Sequence, residues 1–222
     1  MRPDEPLISV DWIARNLDEI GRRVGEHLVM TVVAVVIGFV ISFALALAIR
    51  RSRALYTPVL AVSGVLYTIP SLALFALLIP ITGLSIVSAE IALVSYTVLI
   101  LVRNIVAGLE SVPPEVSEAA TGMGYTAWQR LWSIELPIAV PVIVAGLRIA
   151  TVTTIGLVTV TSLIGQGGLG YFIVVVGIRQ FFPTAIYVGA GLSIALALIA
   201  DLALLALQAG LTPWARARGA AG

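Results

Sequence analysis

Few residues in this chain are equipped for chemistry. Its 222 residues include one histidine, His27, and no cysteine or lysine. Thiolate catalysis, disulfides, Cys-ligated metals and a phosphate-binding loop ending in Gly-Lys-Ser/Thr are therefore excluded, and no His-rich metal centre can form within one chain. Three charges stand in otherwise apolar surroundings: Glu90, Arg148 and Asp201. A charge held in hydrocarbon is costly and persists where it pairs, relays an ion or faces a hydrated path. Arg148 lies about eleven residues past Pro137 and Asp201 about ten before Leu211, so each sits roughly 15 Å from the same end of its helix. Opposite signs at matched depth predict mutual pairing, or a shared hydrated cavity. Near Arg148, the residues Thr151, Thr154, Thr161 and Ser162 recur along one face, which suits either the lining of a path or hydrogen bonding between helices. Gly165 to Gly170 fits the G-x-G-x-x-G pattern. It follows a long apolar helix rather than a strand, however, and has no acidic residue about twenty positions on, so a flexible turn is expected there and not a nucleotide site. His27 is expected at an interface, without catalytic duty.

Hydropathy sets the elements that must position these residues. The chain is 59% hydrophobic and 11% charged, against about 25% charged in a soluble domain, with a mean hydropathy of +1.07. So few charges cannot cover a water-soluble surface, whereas a bilayer hides the apolar majority. A net charge of +1 offers no field for nucleic acid. Crossing ~30 Å of hydrocarbon takes about 20 helical residues. Apolar runs of that length occupy 28–49, 55–79, 85–108, 138–164 and 184–211, which makes five spans, or six if 171–178 is counted. Pro70 should kink the second, with a neighbouring helix covering the freed carbonyl. Residues 1–26 carry four Arg and six acidic residues, with Ile13, Leu17, Ile20 and Val24 at helical spacing. They read as an amphipathic helix on the membrane surface, ahead of a permease domain at 27–211 and a tail at 212–222. Five spans collect Arg50, Arg51, Arg53, Arg103, Arg130, Arg216 and Arg218 on one side. Arg2, Arg15, Arg22, Arg23 and Arg179 fall on the other, which places the first side in the cytoplasm.

The polar stretch 110–137 separates the third and fourth spans. Pro113 and Pro114 suit a helix start. A short helix over 116–121 is expected to end at Gly122 and Gly124, where a sharp turn needs no Cβ. Thr126 and Gln129 form a capping box that opens a second helix, with Trp128, Leu131 and Trp132 on one face and Pro137 as its stop. The result is a helix-turn-helix knob with a small, backbone-accessible tip.

The stretch reads Glu118-Ala119-Ala120, three residues, Gly124, nine residues, Ile134, one residue, Leu136-Pro137. It resembles, at every defined position, the cytoplasmic signature of ABC importer permeases, EAA-x3-G-x9-I-x-L-P. Tyr67 to Pro80, Gly146 to Val152 and Ile164 to Gly170 look like the osmoprotectant group of that family, whose permeases serve glycine betaine, carnitine or choline. The likeness covers about 27–211. It implies an all-α, type I importer-like bundle with a coupling helix that docks on an ATPase subunit. It also implies a second permease, identical or paralogous, an extracytoplasmic substrate-binding protein, and a place among the lipids of the bacterial cell membrane. The chain itself would be no enzyme and hold no cofactor, with ATP and Mg bound by the ATPase. The four tryptophans Trp12, Trp128, Trp132 and Trp214 lie outside the spans, so an aromatic cage for a quaternary ammonium belongs on the binding protein. Two other readings stand beside this one: a methionine or amino-acid ABC permease, and a self-sufficient secondary transporter using Glu90, Arg148 and Asp201 as an ion relay.

Overall fold

The computed structural model describes residues 7–213. Arg2, Arg216 and Arg218 of the orientation count, together with Trp214, lie outside the described residues, as does the tail from 214 on. The described chain is helical throughout. A short α1 (Val10–Arg15) precedes α2 (Leu17–Arg51), which is 35 residues long. Residues 17–26 therefore do not form a separate helix on the membrane surface; they extend the first span. Their charges are satisfied along the helix itself, because Glu19 and Glu26 pair with Arg22 and Arg23 at 2.6–3.0 Å at the three- and four-residue spacings that face each other. Their apolar face is covered by protein: Ile20 and Val24 pack with Trp12 against Leu169, Phe172 and Ala185.

The second span is broken rather than kinked. Its halves, α3 (Tyr56–Thr68) and α4 (Ser71–Thr82), belong to segments that meet at 97°. Pro70 disfavours helical geometry at the residue before it, and Ile69 takes an extended ψ of 125°. Tyr96 on α5 (Ile86–Glu110) donates its hydroxyl to the freed Ile69 carbonyl, and its ring meets Tyr67 edge-on at 5.6 Å. The break nevertheless lies in a crossing. One apolar cluster joins Met30 and Ala34 of α2 to Leu74 and Phe75 of α4 and to Ala89, Ala92 and Leu93 of α5. A second joins Ala46 and Ile49 of α2 to Leu101, Val102 and Ile105 of α5, with Tyr56, Val59 and Leu60 of α3 packed on it. Thus α2 and α5 run in the same direction, which requires α3 and α4 to carry the chain from one end of the bundle to the other.

Beyond α5 come α6 (Pro114–Gly122), α7 (Ala127–Arg130), a π-turn (Leu131–Glu135), α8 (Leu136–Val160) and a 3-10 turn (Thr161–Ile164). From α7 to the 3-10 turn the backbone is one 38-residue rod. It packs closely on α5 at Gly146, where any Cβ would strike the Asn104 side chain, the small-residue device that lets membrane helices approach. The segment Tyr171–Ile178 is an eight-residue π-helix, too short to cross, so it adds no sixth span. It folds back onto α9 (Pro183–Leu211), with Gly177 against Ile186. Four long apolar helices and the broken pair make five spans.

His27 corrects an expectation. It is wholly buried: its Nε2–H donates to the Ile155 carbonyl at 3.0 Å and its Nδ1 accepts from the Leu169 amide at 3.2 Å. The Gly-rich turn is likewise pinned rather than flexible. The Gly168 amide donates to Glu26 at 3.0 Å, Arg23 holds the same carboxylate, and the Arg23 guanidinium lies 3.8 Å over the Tyr171 ring. With those amides occupied by side chains, no phosphate cradle remains. His27→Ala should destabilise the fold by about 2–4 kcal/mol, since a cavity is opened and buried polar groups lose their partner. The check is the thermal unfolding midpoint in detergent; an unchanged midpoint would mean that the turn is held without His27.

Candidate functional site

The knob between α5 and α8 is built from local rules. α6 starts with Pro114 at its first position after an extended Pro113, and it runs one residue past the expected end and two ahead of the expected start. Its C-terminus closes by two bonds, Tyr125 N–H to the Ala120 carbonyl at 3.1 Å and Gly124 N–H to the Thr121 carbonyl at 3.0 Å. This is the Schellman arrangement, which needs a left-handed residue; Gly124 supplies it with φ +85°. Gly122 remains helical. The capping box then opens α7: Gln129 N–H donates to Thr126 Oγ1 at 3.3 Å, and Thr126 N–H to Gln129 Oε1 at 2.9 Å.

Pro137 does not stop the second knob helix. The π-turn shifts the ladder so that Leu136 N–H reaches the Leu131 carbonyl, and Pro137, which has no N–H, enters α8 at its second position. A widened turn of this kind absorbs the ring without a break. The knob is consequently continuous with the fourth span, and the expected boundary at 137/138 does not exist in the backbone.

The signature residues fall into two groups. Glu118, Ala119 and Gly124 are exposed at the tip, and a Cβ on Gly124 would meet only open space. Ala120 is buried, and Ile134, Leu136 and Pro137 are partly covered, Leu136 against the second apolar cluster. Val116, Met123, Tyr125, Trp128 and Trp132 are exposed on the same knob, an apolar concentration of the sort that meets a partner or headgroups. Trp132 also leans on Phe43 of α2 at 6.2 Å.

Midway along the rod the structure brings Arg148 and Asp201 together. Arg148 Nε and Nη2 donate to the two Asp201 carboxylate oxygens, each at 2.8 Å, in the forked geometry that Arg favours. The pair is partly exposed, at 27% and 32%, to a cleft of about 620 Å³ lined otherwise by Thr153 and by apolar residues such as Ile149, Val152, Ile194 and Leu198. Thr151 and Thr154 bond back to the Leu147 and Ala150 carbonyls of their own helix and make no bond across helices; Thr161 does the same to Val158. Thr154 is buried. Glu90 is not joined to Arg148 or Asp201, and its Oε2 finds no partner among the described residues.

Sequence reasoning missed Glu135 and its partners. Arg50 Nε and Nη2 donate to Glu135 at 2.9 and 3.0 Å, and Arg130 Nε donates at 2.8 Å. Glu135 occupies the undefined position of the signature. The only signal was a carboxylate set between apolar neighbours just ahead of a membrane span. Among the described residues no group of His, Cys, Asp or Glu suits a metal ion.

An all-α, multi-pass bundle with a polar knob continuous with one span is the architecture of a membrane transport subunit. A family model described as "Binding-protein-dependent transport system inner membrane component" matches residues 28–213. The osmoprotectant import permease protein OsmW of Salmonella typhimurium is 37% identical over 210 residues, 92% of this chain and 97% of its own. The glycine betaine/carnitine/choline transport system permease protein OpuCB of Bacillus subtilis is 35% identical over 202 residues, 91% and 93% of the two chains. A structure of the MetNI methionine ABC transporter, in an inward-facing conformation, superposes with a TM-score of 0.79 at 25% identity, covering 87% of this chain and 96% of that one. The chain belongs to the binding-protein-dependent transport system inner membrane components and is a transmembrane permease subunit of an ABC importer.

The Arg148–Asp201 geometry has a direct test. Arg148→Ala and Asp201→Ala should each lower the yield of folded protein, because each leaves its partner's charge unpaired in the membrane. The double mutant should lose less than the sum of the two. Strict additivity in that cycle would mean that the two charges act independently.

Proposed function

We propose that this subunit forms the path by which a compatible solute (glycine betaine, carnitine or choline) enters a bacterial cell across its inner membrane. ATPase subunits bind at the knob, a second permease, identical or paralogous, completes the path, and an extracytoplasmic protein delivers the solute. ATP and Mg are bound by the ATPase, and this chain makes and breaks no bonds. The observation that carries the solute class is the similarity, across more than nine-tenths of the chain, to permeases named for osmoprotectant, glycine betaine, carnitine and choline transport. The rigid join between knob and fourth span supports the coupling role, because a push on the exposed tip at Glu118, Ala119 and Gly124 is delivered along one rod to Arg148.

The orientation that fits is knob inward. Arg50, Arg51, Arg53, Arg103 and Arg130 gather at the knob's end, and Gly83 lies at the opposite end, where α4 meets α5. Reporter fusions after Arg53 should signal from the cytoplasm and fusions near Gly83 from outside. A cytoplasmic signal at Gly83 would invert this orientation or remove the second crossing.

Transport is tested with the assembled importer in proteoliposomes. Radiolabelled glycine betaine or choline should accumulate only when ATP is supplied to the ATPase; accumulation of methionine alone would point instead to the activity named for MetNI. Uptake driven by an ion gradient without ATP would overturn the reading. Gly124→Leu should cost stability only about 1–2 kcal/mol, the penalty of a side chain in the left-handed region, and leave the subunit inserted. Transport, by contrast, should fall sharply, because the added side chain projects where the ATPase would dock. Normal transport by that variant would remove the docking assignment.

A further inference from the structure

We propose that Glu135 is a positioning residue that ties the knob to the first span, so that displacement of the knob moves two spans instead of one. The proposal rests on the coupling role of the knob and names the residue that distributes the motion. The signature leaves this position undefined, so nothing in the motif assigns it a part.

The geometry is specific. The Glu135 side chain is only 8% exposed, yet its two oxygens receive three charged N–H donors. Arg50 approaches from the last turn of α2 with a two-pronged contact. Arg130 approaches from α7 and sends its Nη1 to Thr121 on α6 at 2.7 Å. One carboxylate therefore gathers the first knob helix, the second knob helix, the head of the fourth span and the tail of the first. It lies at the last residue of the π-turn, and such turns occur often at functional points of helices. Beside it is a cavity of about 360 Å³ lined also by Arg53 and Glu110, which pair with each other.

Charge and steric contact together let the joint transmit motion in both directions. Arg50 and Arg130 would repel each other without the carboxylate between them, and a buried carboxylate that loses one Arg pays heavily for the separation. Pulling the knob away from the first span is therefore resisted by the buried charge, and pushing it closer by steric contact. Apolar contact, such as Trp132 on Phe43, carries no such charge penalty when it is displaced.

The test uses the assembled importer, purified through a tag on this chain and reconstituted in proteoliposomes with radiolabelled glycine betaine. It compares solute transported per ATP hydrolysed. Glu135→Gln keeps the shape and removes the charge; Arg50→Gln removes the same contact from the other side and decides the matter if the first variant fails to insert. Each should reduce that ratio by about 2- to 30-fold, the range for residues that modulate coupling without touching ligand. ATPase subunits should still copurify. Glu135→Asp, which keeps the charge, should restore part of the ratio. If transport and ATP hydrolysis instead fall in proportion in both Gln variants, Glu135 is structural and the proposal is overturned. Gly124→Leu in the same assay separates the role of Glu135 from that of the knob. If it lowers the ratio while both Gln variants do not, only the role of Glu135 fails. If it leaves transport, the ratio and ATPase copurification all unchanged, the coupling role of the knob fails, and the proposal with it.

Discussion

Backbone amides and carbonyls inside hydrocarbon have no water to turn to, so each must find a partner within the protein. Three departures from straight helix among the described residues show how that constraint is met. Where Pro70 breaks the second span, the Ile69 carbonyl is taken by Tyr96 of a neighbouring helix. Where Pro137 enters the fourth span, the π-turn moves the ladder by one residue and Leu136 N–H bonds to Leu131. Where the chain turns through Gly165 to Gly170, the amides of Gly168 and Leu169 are met by Glu26 and His27. Each repair is made by a specific side chain or shift.

The charges obey a related constraint. Apart from the exposed Arg53–Glu110 pair, the ion pairs among the described residues fall into three groups. Arg22 and Arg23 with Glu19 and Glu26 stiffen the extension of the first span and hold the Gly-rich turn. Arg50 and Arg130 with Glu135 bind the knob to the bundle. Arg148 and Asp201 join α8 to α9 halfway along the rod. From one end of the bundle to the other, they form three levels of attachment on the helices that the knob addresses. The side chains between them on the fourth span, Thr151 and Thr154, satisfy themselves on their own carbonyls, so the polar ties of this stretch to its neighbours are made by Arg148 and by the Ile155 carbonyl.

The knob and its span form one mechanical unit. Its tip is open because Gly124 closes a Schellman turn without presenting a side chain, and its base is rigid because the capping box, the π-turn and α8 succeed one another without a gap. A lever needs both features: a surface that a partner can seat on and a shaft that does not buckle. The proposed coupling role needs work done outside the membrane to move helices within it, and this geometry suits that role.

The amino-acid sequence by itself determined the features that depend on composition and on short spacing. A scarcity of charge demanded a bilayer, apolar run lengths set five crossings, and the fixed spacing of Glu118, Ala119, Ala120, Gly124, Ile134, Leu136 and Pro137 marked the knob. Local chemistry was legible too: the Thr126–Gln129 capping box depends only on residues three apart, and Gly124 only on its own φ. Matched depths of Arg148 and Asp201 were countable along two helices. Tertiary structure alone decided the rest, because those outcomes depend on partners distant in the chain or on which side of a helix faces protein. His27 lies next to an apolar run and looked interfacial, yet residues 155 and 169 enclose it. Residues 1–26 read as a surface helix, yet 17–26 continue into the first span and Leu169 and Phe172 cover their apolar face. Glu135 had no sequence signal tying it to Arg50, 85 residues earlier. Periodicity reports which face is apolar; only packing reports what that face meets.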